Sequence, residues 1–180
     1  MIRLATAQDI AALPSIERDA DALFLDALLE AGLTREALTR VSSEQSLEQA
    51  CRGRRLWVAV SADDVPIGFA MVGELGGFAH LDELAVRRSH GRQGLGTHLL
   101  ETVCDWAEGA GFAAVTLSTF RHVPWNRPFY ERCGFCETVP RDLSDAHVQL
   151  VAFEQQCGLR RDLRVVMAKR FWRDPPVRLR

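Results

Sequence analysis

Short apolar or alternating runs, bounded by turn residues, predict strands at residues 2–5, 56–60, 66–72, 78–86, 114–119, 135–139 and 163–171. Between them, apolar positions recur at steps of three and four. Ile10, Leu13, Ile16, Ala20, Leu23 and Phe24 predict one helical face, with Asp9 as its N-cap and Pro14 tolerated in its first turns. Gly32 interrupts this run, and Thr34 or Ser43 is expected to cap short helices reaching Cys51. Leu95, Leu99, Val103, Trp106 and Ala110 line a longer helix over 94–110, closed by Gly111. Asn126 is expected to cap a short helix through Cys133, and 144–156 to form a last one. Turns at Ala62-Asp63-Asp64 and Gly76-Gly77 join strands 56–60, 66–72 and 78–86 into successive hairpins. The order is β-α-α-β-β-β-α-β-α-β-α-β, an α/β chain with a mixed sheet and helices on both faces.

Composition adds little beyond this pattern. The 180 residues, 47% hydrophobic and 26% charged, suit one domain, read as 1–173 with a frayed tail at 174–180. A net charge of −2 gives no reason to expect nucleic acid as a partner. No apolar run approaches the ~20 residues of a membrane span, and the start, Met1-Ile2-Arg3-Leu4-Ala5-Thr6, is unlike a signal peptide. Five scattered cysteines point to a reducing cytoplasm. Cys133-Gly-Phe-Cys136 is half a zinc site at best and is read as two ordinary thiols, so no metal is expected.

The stretch from Leu84 to Leu100 carries the first chemical signal. It reads as strand, polar turn and amphipathic helix, with Gly94 and Gly96 where the turn becomes the helix. Such a helix start offers unpaired N–H groups to an anion, and Arg87, Arg88 and Arg92 lie nearby in sequence. A phosphate or pyrophosphate is the expected ligand, against the plainer reading of a tight strand-to-helix turn. The turn is not the dinucleotide fingerprint, because Leu99 stands at the third glycine position, and no Gly-Lys-Ser/Thr makes it a Walker loop. Gly91-Arg92-Gln93-Gly94-Leu95-Gly96 resembles instead the acyl-CoA loop of the GNAT N-acetyltransferases, Gln/Arg-x-x-Gly-x-Gly/Ala, with Gly91 departing from its first position. A second segment, Asn126-Arg127-Pro128-Phe129-Tyr130-Glu131-Arg132-Cys133-Gly134-Phe135, resembles the family's region in which an asparagine is followed by Tyr-x-x-x-Gly-Phe.

This resemblance implies a GNAT fold: a twisted, mostly antiparallel sheet splayed between its fourth and fifth strands. It implies acetyl-CoA held by Gly91, Arg92, Gln93, Gly94, Leu95, Gly96 and Thr97, by the backbone of Leu84, Ala85 and Val86, and by Asn126 and Tyr130. Tyr130, the only tyrosine in the chain, would be the general acid toward the CoA sulfur; the alternative is a packing tyrosine beside the Gly-Phe turn. For the base, His80, Asp82 and Glu83 stay open. Alternation puts His80, Asp82, Leu84 and Val86 on one face and Leu81, Glu83 and Ala85 on the other, unless a bulge intervenes. Asp82 matches the position where polyamine and aminoglycoside members often carry a carboxylate. His80 with Asp82 is similar to the two-imidazole arrangement of arylalkylamine members. The plainer reading leaves these groups as solvated acids and a structural histidine. Glu17, Asp19, Asp21 and Asp26 make the first helix acidic, and Trp57, Phe120, His122 and Trp125 are candidates for an aromatic wall. The expected activity is acetyl transfer from acetyl-CoA to a primary amine by direct attack in a ternary complex, on a small molecule rather than a protein or peptide. A non-catalytic acyl-CoA sensor and a nucleotide-phosphate domain are the competing readings; acetyl-CoA and the amine are the expected partners, with homodimer formation open.

Overall fold

The computed structural model describes residues 1–34, 40–138, 142 and 144–171. The expected tail at 174–180 and part of the predicted strand 135–139 lie outside them. Seven strands form one sheet: β1 (Ile2–Leu4), β2 (Leu56–Val60), β3 (Pro66–Leu75), β4 (Phe78–Val86), β5 (Ala114–Phe120), β6 (Cys136–Glu137) and β7 (Arg164–Arg170), in spatial order β1-β2-β3-β4-β5-β7-β6. All neighbours pair antiparallel except β4 and β5, which run parallel. The helices are α1 (Leu13–Asp21), α2 (Leu28–Ala31), α3 (Glu44–Arg52), α4 (Leu95–Gly109), α5 (Asn126–Arg132) and α6 (Asp145–Gln156).

Two apolar layers hold the sheet. Leu99, Leu100, Val103, Cys104 and Ala107 of α4 pack on Ala59, Ala70, Val72, Leu81, Val115 and Leu117. Ile10, Leu13, Ile16 and Leu47, from the α1 and α3 side, pack on Val58, Val60, Phe69, Met71 and Ala85. The α4 seam thus runs through Leu100, Cys104 and Ala107 rather than through Ala110, which is exposed. Leu23 also leaves its expected face and is exposed, because α1 gives way to a 3-10 helix (Ala22–Ala27) whose tighter turn rotates the following side chains. At the end of α4, Gly111 has φ 93° and its N–H bonds to Glu108 O at 3.1 Å, as a C-terminal glycine requires. Ser43 accepts from Ser46 N at 3.1 Å and caps α3.

Strand β4 departs from simple alternation. Opposite it, Met71 pairs with Glu83 but Val72 pairs with Leu81, so Asp82 is an extra residue with no partner on β3. The bulge reverses side-chain parity. Leu84 and Val86 therefore join Ala79 and Leu81 on the α4 side, while Ala85 joins Met71 on the α1 side. The grouping of His80 and Asp82 with Leu84 and Val86 is corrected accordingly: one inserted residue separates them. Past Leu81 the strand also parts from β5. Pairing between them covers only Ala79–Val115, His80–Thr116 and Leu81–Leu117, and Ser118 to Phe120 pair solely with β7. A wedge opens there between residues 82–86 and 118–120.

Asp9 is not a helix cap. Its side chain turns back to accept from Thr6 N at 2.7 Å, Thr6 Oγ1 at 2.9 Å, and both terminal nitrogens of Arg3 at 2.8 and 3.0 Å. Burial works to raise this carboxyl, but the bonds from Arg3 and Thr6 outweigh it and hold it below its ordinary value. Asp9→Ala is expected to destabilise the fold by about 2 kcal/mol, by leaving the Thr6 amide without its acceptor and Arg3 with only Asp64 and Leu4 O, as urea unfolding would measure. A carboxyl depressed in the folded state stabilises above its unfolded pKa of ~4 and loses that contribution as the pH falls below it. The difference between wild type and Asp9→Ala should accordingly shrink in acid and be constant near neutrality.

Candidate active site

The polar turn leaves β4 at Arg87, passes through a 3-10 turn (Arg88–His90), and enters α4 at Gly94. Arg92 and Gly94 both adopt left-handed backbone, at φ 57° and 81°. Glycine takes that conformation without penalty; Arg92 does so at a cost in steric energy. The first internal bond of α4 runs from His98 N to Gly94 O at 3.0 Å, so the N–H groups of Leu95, Gly96 and Thr97 have no intrahelical acceptor. At Gly96 an added methyl would lie 3.5 Å from the Phe129 ring and 4.0 Å from Val86, so the glycine sits where α4, β4 and α5 converge. Gly91, Arg92, Gln93 and Gly94 are exposed. Arg87 and Arg88 instead turn toward α1: Arg87 donates to Ser15 Oγ at 2.9 Å, and Arg88 to Asp19. The side-chain cations expected to crowd the turn are thus reduced to Arg92.

Helix α5 borders the same wedge. Asn126 is its first residue rather than its cap; its carboxamide oxygen accepts from the Thr119 hydroxyl and from Phe120 N at 3.2 Å. The side chain thereby anchors the end of β5, and its amide nitrogen has no partner among the described residues. Tyr130 packs edge-on against Phe129 and Phe135, with centroids at 5.0 and 6.0 Å. Burial, reinforced by the carboxylate of Glu83, pushes its phenol well above the usual range, so it keeps its proton at neutral pH.

Glu83 faces α1. Its Oε1 accepts from Leu84 N at 3.0 Å. Burial, then Glu17 and Asp21 of α1, push its carboxyl up to about 8. Asp21 is itself raised to about 7 by burial and by Glu17. Glu17 is 5% exposed and takes Ser42 N at 2.9 and 3.0 Å. The acidic face of α1, read from sequence as solvated or cation-attracting, therefore lies in part against β4. Asp82 is exposed along one flank and fills the space over Gly73, where an added methyl would meet Oδ2 at 2.6 Å. Burial raises it to about 6 against the pull of Arg55. His80 belongs to a different group. It is buried, with Nδ1 at 2.8 Å from Thr116 Oγ1; the same hydroxyl lies 3.1 Å from His147 Nε2, and His147 Nδ1 is 2.7 Å from Ser144 Oγ. Burial, then His147, lowers the His80 imidazole to about 4, which keeps it neutral.

The aromatic wall is partly corrected. Trp57 is core, edge-on to Trp106 at 5.3 Å. Phe120 and Trp125 do meet, through Phe24, which lies 5.1 and 6.1 Å from them. Arg164 sits 4.5 Å over the Phe120 ring and pairs with Glu154 at 2.7 Å, both nearly enclosed, with Ser118 between them. Among the described residues, no His, Cys, Asp and Glu gather to hold a metal, and no helix is long and apolar enough to cross a membrane.

A model of the acetyltransferase (GNAT) family matches residues 23–135, which include the wedge, the glycine turn and Tyr130. The chain belongs to this family. Solved structures agree on the fold. PaiA N-acetyltransferase from Thermoplasma acidophilum, in complex with coenzyme A, superposes with a TM-score of 0.71 at 17% identity, over 95% of this chain and 98% of that one. The ribosomal-protein-S18-alanine N-acetyltransferase of Escherichia coli gives 0.66 at 20% identity, over 98% and 97%. N-acetylglutamate synthase from Neisseria gonorrhoeae, complexed with coenzyme A and N-acetyl-glutamate, gives 0.67 at 18%, over 96% of this GNAT chain but 35% of its own.

Sequence reasoning missed Glu17 and Asp21 as neighbours of Glu83, and His147 and Arg164 altogether. The i, i+4 spacing of Glu17 and Asp21, with buried Leu13 and Ile16 beside them, was the available signal for the first pair. In this GNAT chain, replacing Glu83 by Gln should raise thermal stability. The wild-type carboxyl, raised in the folded state, gives full stability below its unfolded pKa of ~4.3 and loses it as the pH rises through about 8. The advantage of Glu83→Gln should grow between those limits and then level off, as Tm against pH would record.

Proposed function

We propose that this chain transfers an acetyl group from acetyl-CoA to a primary amine, with the amine attacking directly while both substrates are bound. The observation that carries this reading is the wedge between β4 and β5, bordered by the unpaired amides of α4, by the protonated Tyr130 of α5 packed in the α4 layer, and by Glu83 facing α1. Those residues fit the cosubstrate. Leu95, Gly96 and Thr97 N–H groups at the positive end of a 15-residue helix suit its pyrophosphate, with Gly91, Arg92, Gln93 and Gly94 forming the approach. The open edge of Leu84, Ala85 and Val86 suits an extended amide chain laid alongside it, and the Asn126 amide nitrogen is one further donor. When bound, acetyl-CoA supplies a thioester whose carbonyl carbon accepts the amine's lone pair and whose sulfur departs.

The remaining roles fall to this chain's own groups. Glu83, raised to about 8, is matched to take a proton from an ammonium near neutral or mildly alkaline pH. Tyr130 holds a proton that it can donate at the sulfur. Asp82, at about 6, is the second candidate base; the resemblance to other members favours it, whereas the parity reversal and the shared field with Tyr130 favour Glu83. His80, buried and bonded to Thr116, serves best as a structural residue at the base of the wedge. The carboxylates of Glu17, Asp21 and Glu83 favour a cationic acceptor carried on a small molecule. The competing acceptor is an amine of a protein or peptide; the Escherichia coli structure is named for an alanine of ribosomal protein S18.

Acetyl-CoA and CoA should raise Tm by mass action, and ATP or NAD much less; an equal shift with ATP counts against the cosubstrate. Gly94→Val should abolish the shift, because a β-branched residue does not tolerate φ 81°. Tyr130→Phe should cut kcat by ~10²–10⁴ with little change in acetyl-CoA affinity; near wild-type kcat would make Tyr130 structural. Activity should rise with pH through about 8 in the wild type, and Glu83→Gln should remove that limb. If Asp82→Asn removes it and Glu83→Gln does not, Asp82 is the base. A panel of amines, aminoglycosides, amino acids and peptides, followed by CoA release, decides the acceptor; turnover confined to peptide N-termini would overturn the small-molecule reading. Binding without turnover on any amine would leave the sensor reading.

A further inference from the structure

We infer that Asp19 is a positioning residue for the glycine loop: from α1 it clamps the backbone where β4 turns into the loop, and so sets the amides proposed to hold acetyl-CoA. The inference rests on the cosubstrate reading above. Ser15 and Asp19 stand four apart on α1 and share a face. That face bonds to two successive residues of the loop entry. Ser15 Oγ accepts from Arg87 Nη2 at 2.9 Å; Asp19 Oδ2 accepts from Arg88 N at 2.8 Å and Oδ1 from Arg88 Nε at 3.1 Å.

The amide bond is the informative one. Arg87 N still bonds to Ile67 O at 2.8 Å, the last link to β3. One residue on, Arg88 opens the 3-10 turn, where an N–H has no partner within the turn. Asp19 supplies that partner from another helix. The Arg88 amide, and secondarily its guanidinium, hold the Asp19 carboxyl below its ordinary range. The side-chain ion pair alone would explain little, since both partners are partly solvated. A charged acceptor on a backbone N–H does more, because it fixes the direction in which the chain leaves the sheet. Four residues later Arg92 adopts φ 57°, and Gly94 follows at 81°, so an error at the entry is carried into the amides of α4. The same helix bears Glu17 and Asp21, whose field reaches Glu83. Asp19 thus ties the cosubstrate end of the cleft to the helix that lines its acceptor end.

The test compares wild type, Asp19→Ala, Asp19→Asn, Arg88→Ala and, as a control ion pair away from the cleft, Asp64→Ala, using acetyl-CoA calorimetry, steady-state kinetics and Tm. Loss of a charged capping acceptor predicts that Asp19→Ala raises Kd and KM for acetyl-CoA about tenfold. Its kcat at saturation should stay within about twofold, since no reacting group is removed. Asp19→Asn keeps a neutral acceptor for the Arg88 amide and should recover most of the affinity. Arg88→Ala keeps that amide bond and should cost less than Asp19→Ala. Asp64→Ala should leave affinity unchanged. The inference is overturned if Asp19→Ala binds acetyl-CoA as the wild type does, whatever its Tm, or if Arg88→Ala costs as much as Asp19→Ala. Failure of the wild type itself to bind acetyl-CoA would sink the cosubstrate reading and this inference with it.

Discussion

Strand β4 carries one residue more than β3 between Leu81 and Glu83, and the cleft is built around that insertion. A bulge bends the strand and strengthens its local twist. It falls where β4 also loses β5, so the strand leaves one neighbour at the point where it is being turned relative to the other. The parity change has a chemical consequence. Without it, Glu83 would face the apolar layer under α4. With it, Glu83 faces α1 and its carboxylates, while Leu84 and Val86 close the α4 layer. One inserted residue therefore lets a single strand close the apolar layer on one side and present a carboxyl to α1 on the other.

Carboxyl groups crowded in a partly dry place do not all ionise, because each charge is desolvated and repels its neighbours. Burial raises Glu17 against the opposing bonds from Ser42, and Asp21 and Glu83 are pushed further toward neutrality, to about 7 and about 8. A nearby cation relieves such repulsion, which is the physical ground on which an ammonium acceptor is proposed. The energetic cost of crowding these carboxyls is offset by the packed layers on both faces of the sheet.

Much of the scaffold was legible from local pattern. Strands 56–60 and 78–86 have the expected bounds, and the order of elements is the expected one, because alternation, glycine turns and helical periodicity are short-range signals. Features that depend on distant partners were not legible. Asp9 has the sequence of a helix cap but is drawn away by Arg3 and Thr6. Asn126 reads as a cap but is claimed by the end of β5. The bulge at Asp82 exists only relative to β3, and His147 meets His80 through Thr116, three elements brought together by the sheet. The glycine turn and Tyr130 were singled out because their spacing resembles a family pattern; the same approach left the base open, since a strand's facing side chains depend on register.

The glycine turn also sets a mechanical requirement. Arg92 and Gly94 hold left-handed backbone within three residues, and a non-glycine residue there costs on the order of 1 kcal/mol or more. Such a conformation persists only if both ends of the turn are fixed. At its exit, α4 is anchored by Leu99, Leu100 and Val103 in the core. At its entry the sheet offers only the Arg87 bond to Ile67, after which the chain depends on α1 for its next partner. With Arg87 and Arg88 committed to α1, attraction for an anion rests on the helix end and on Arg92 rather than on a cluster of side-chain cations. Backbone amides are directional and exact a stricter geometry than long flexible cations do. A turn that binds through amides therefore needs the firmer frame, and α1 is the element that completes it.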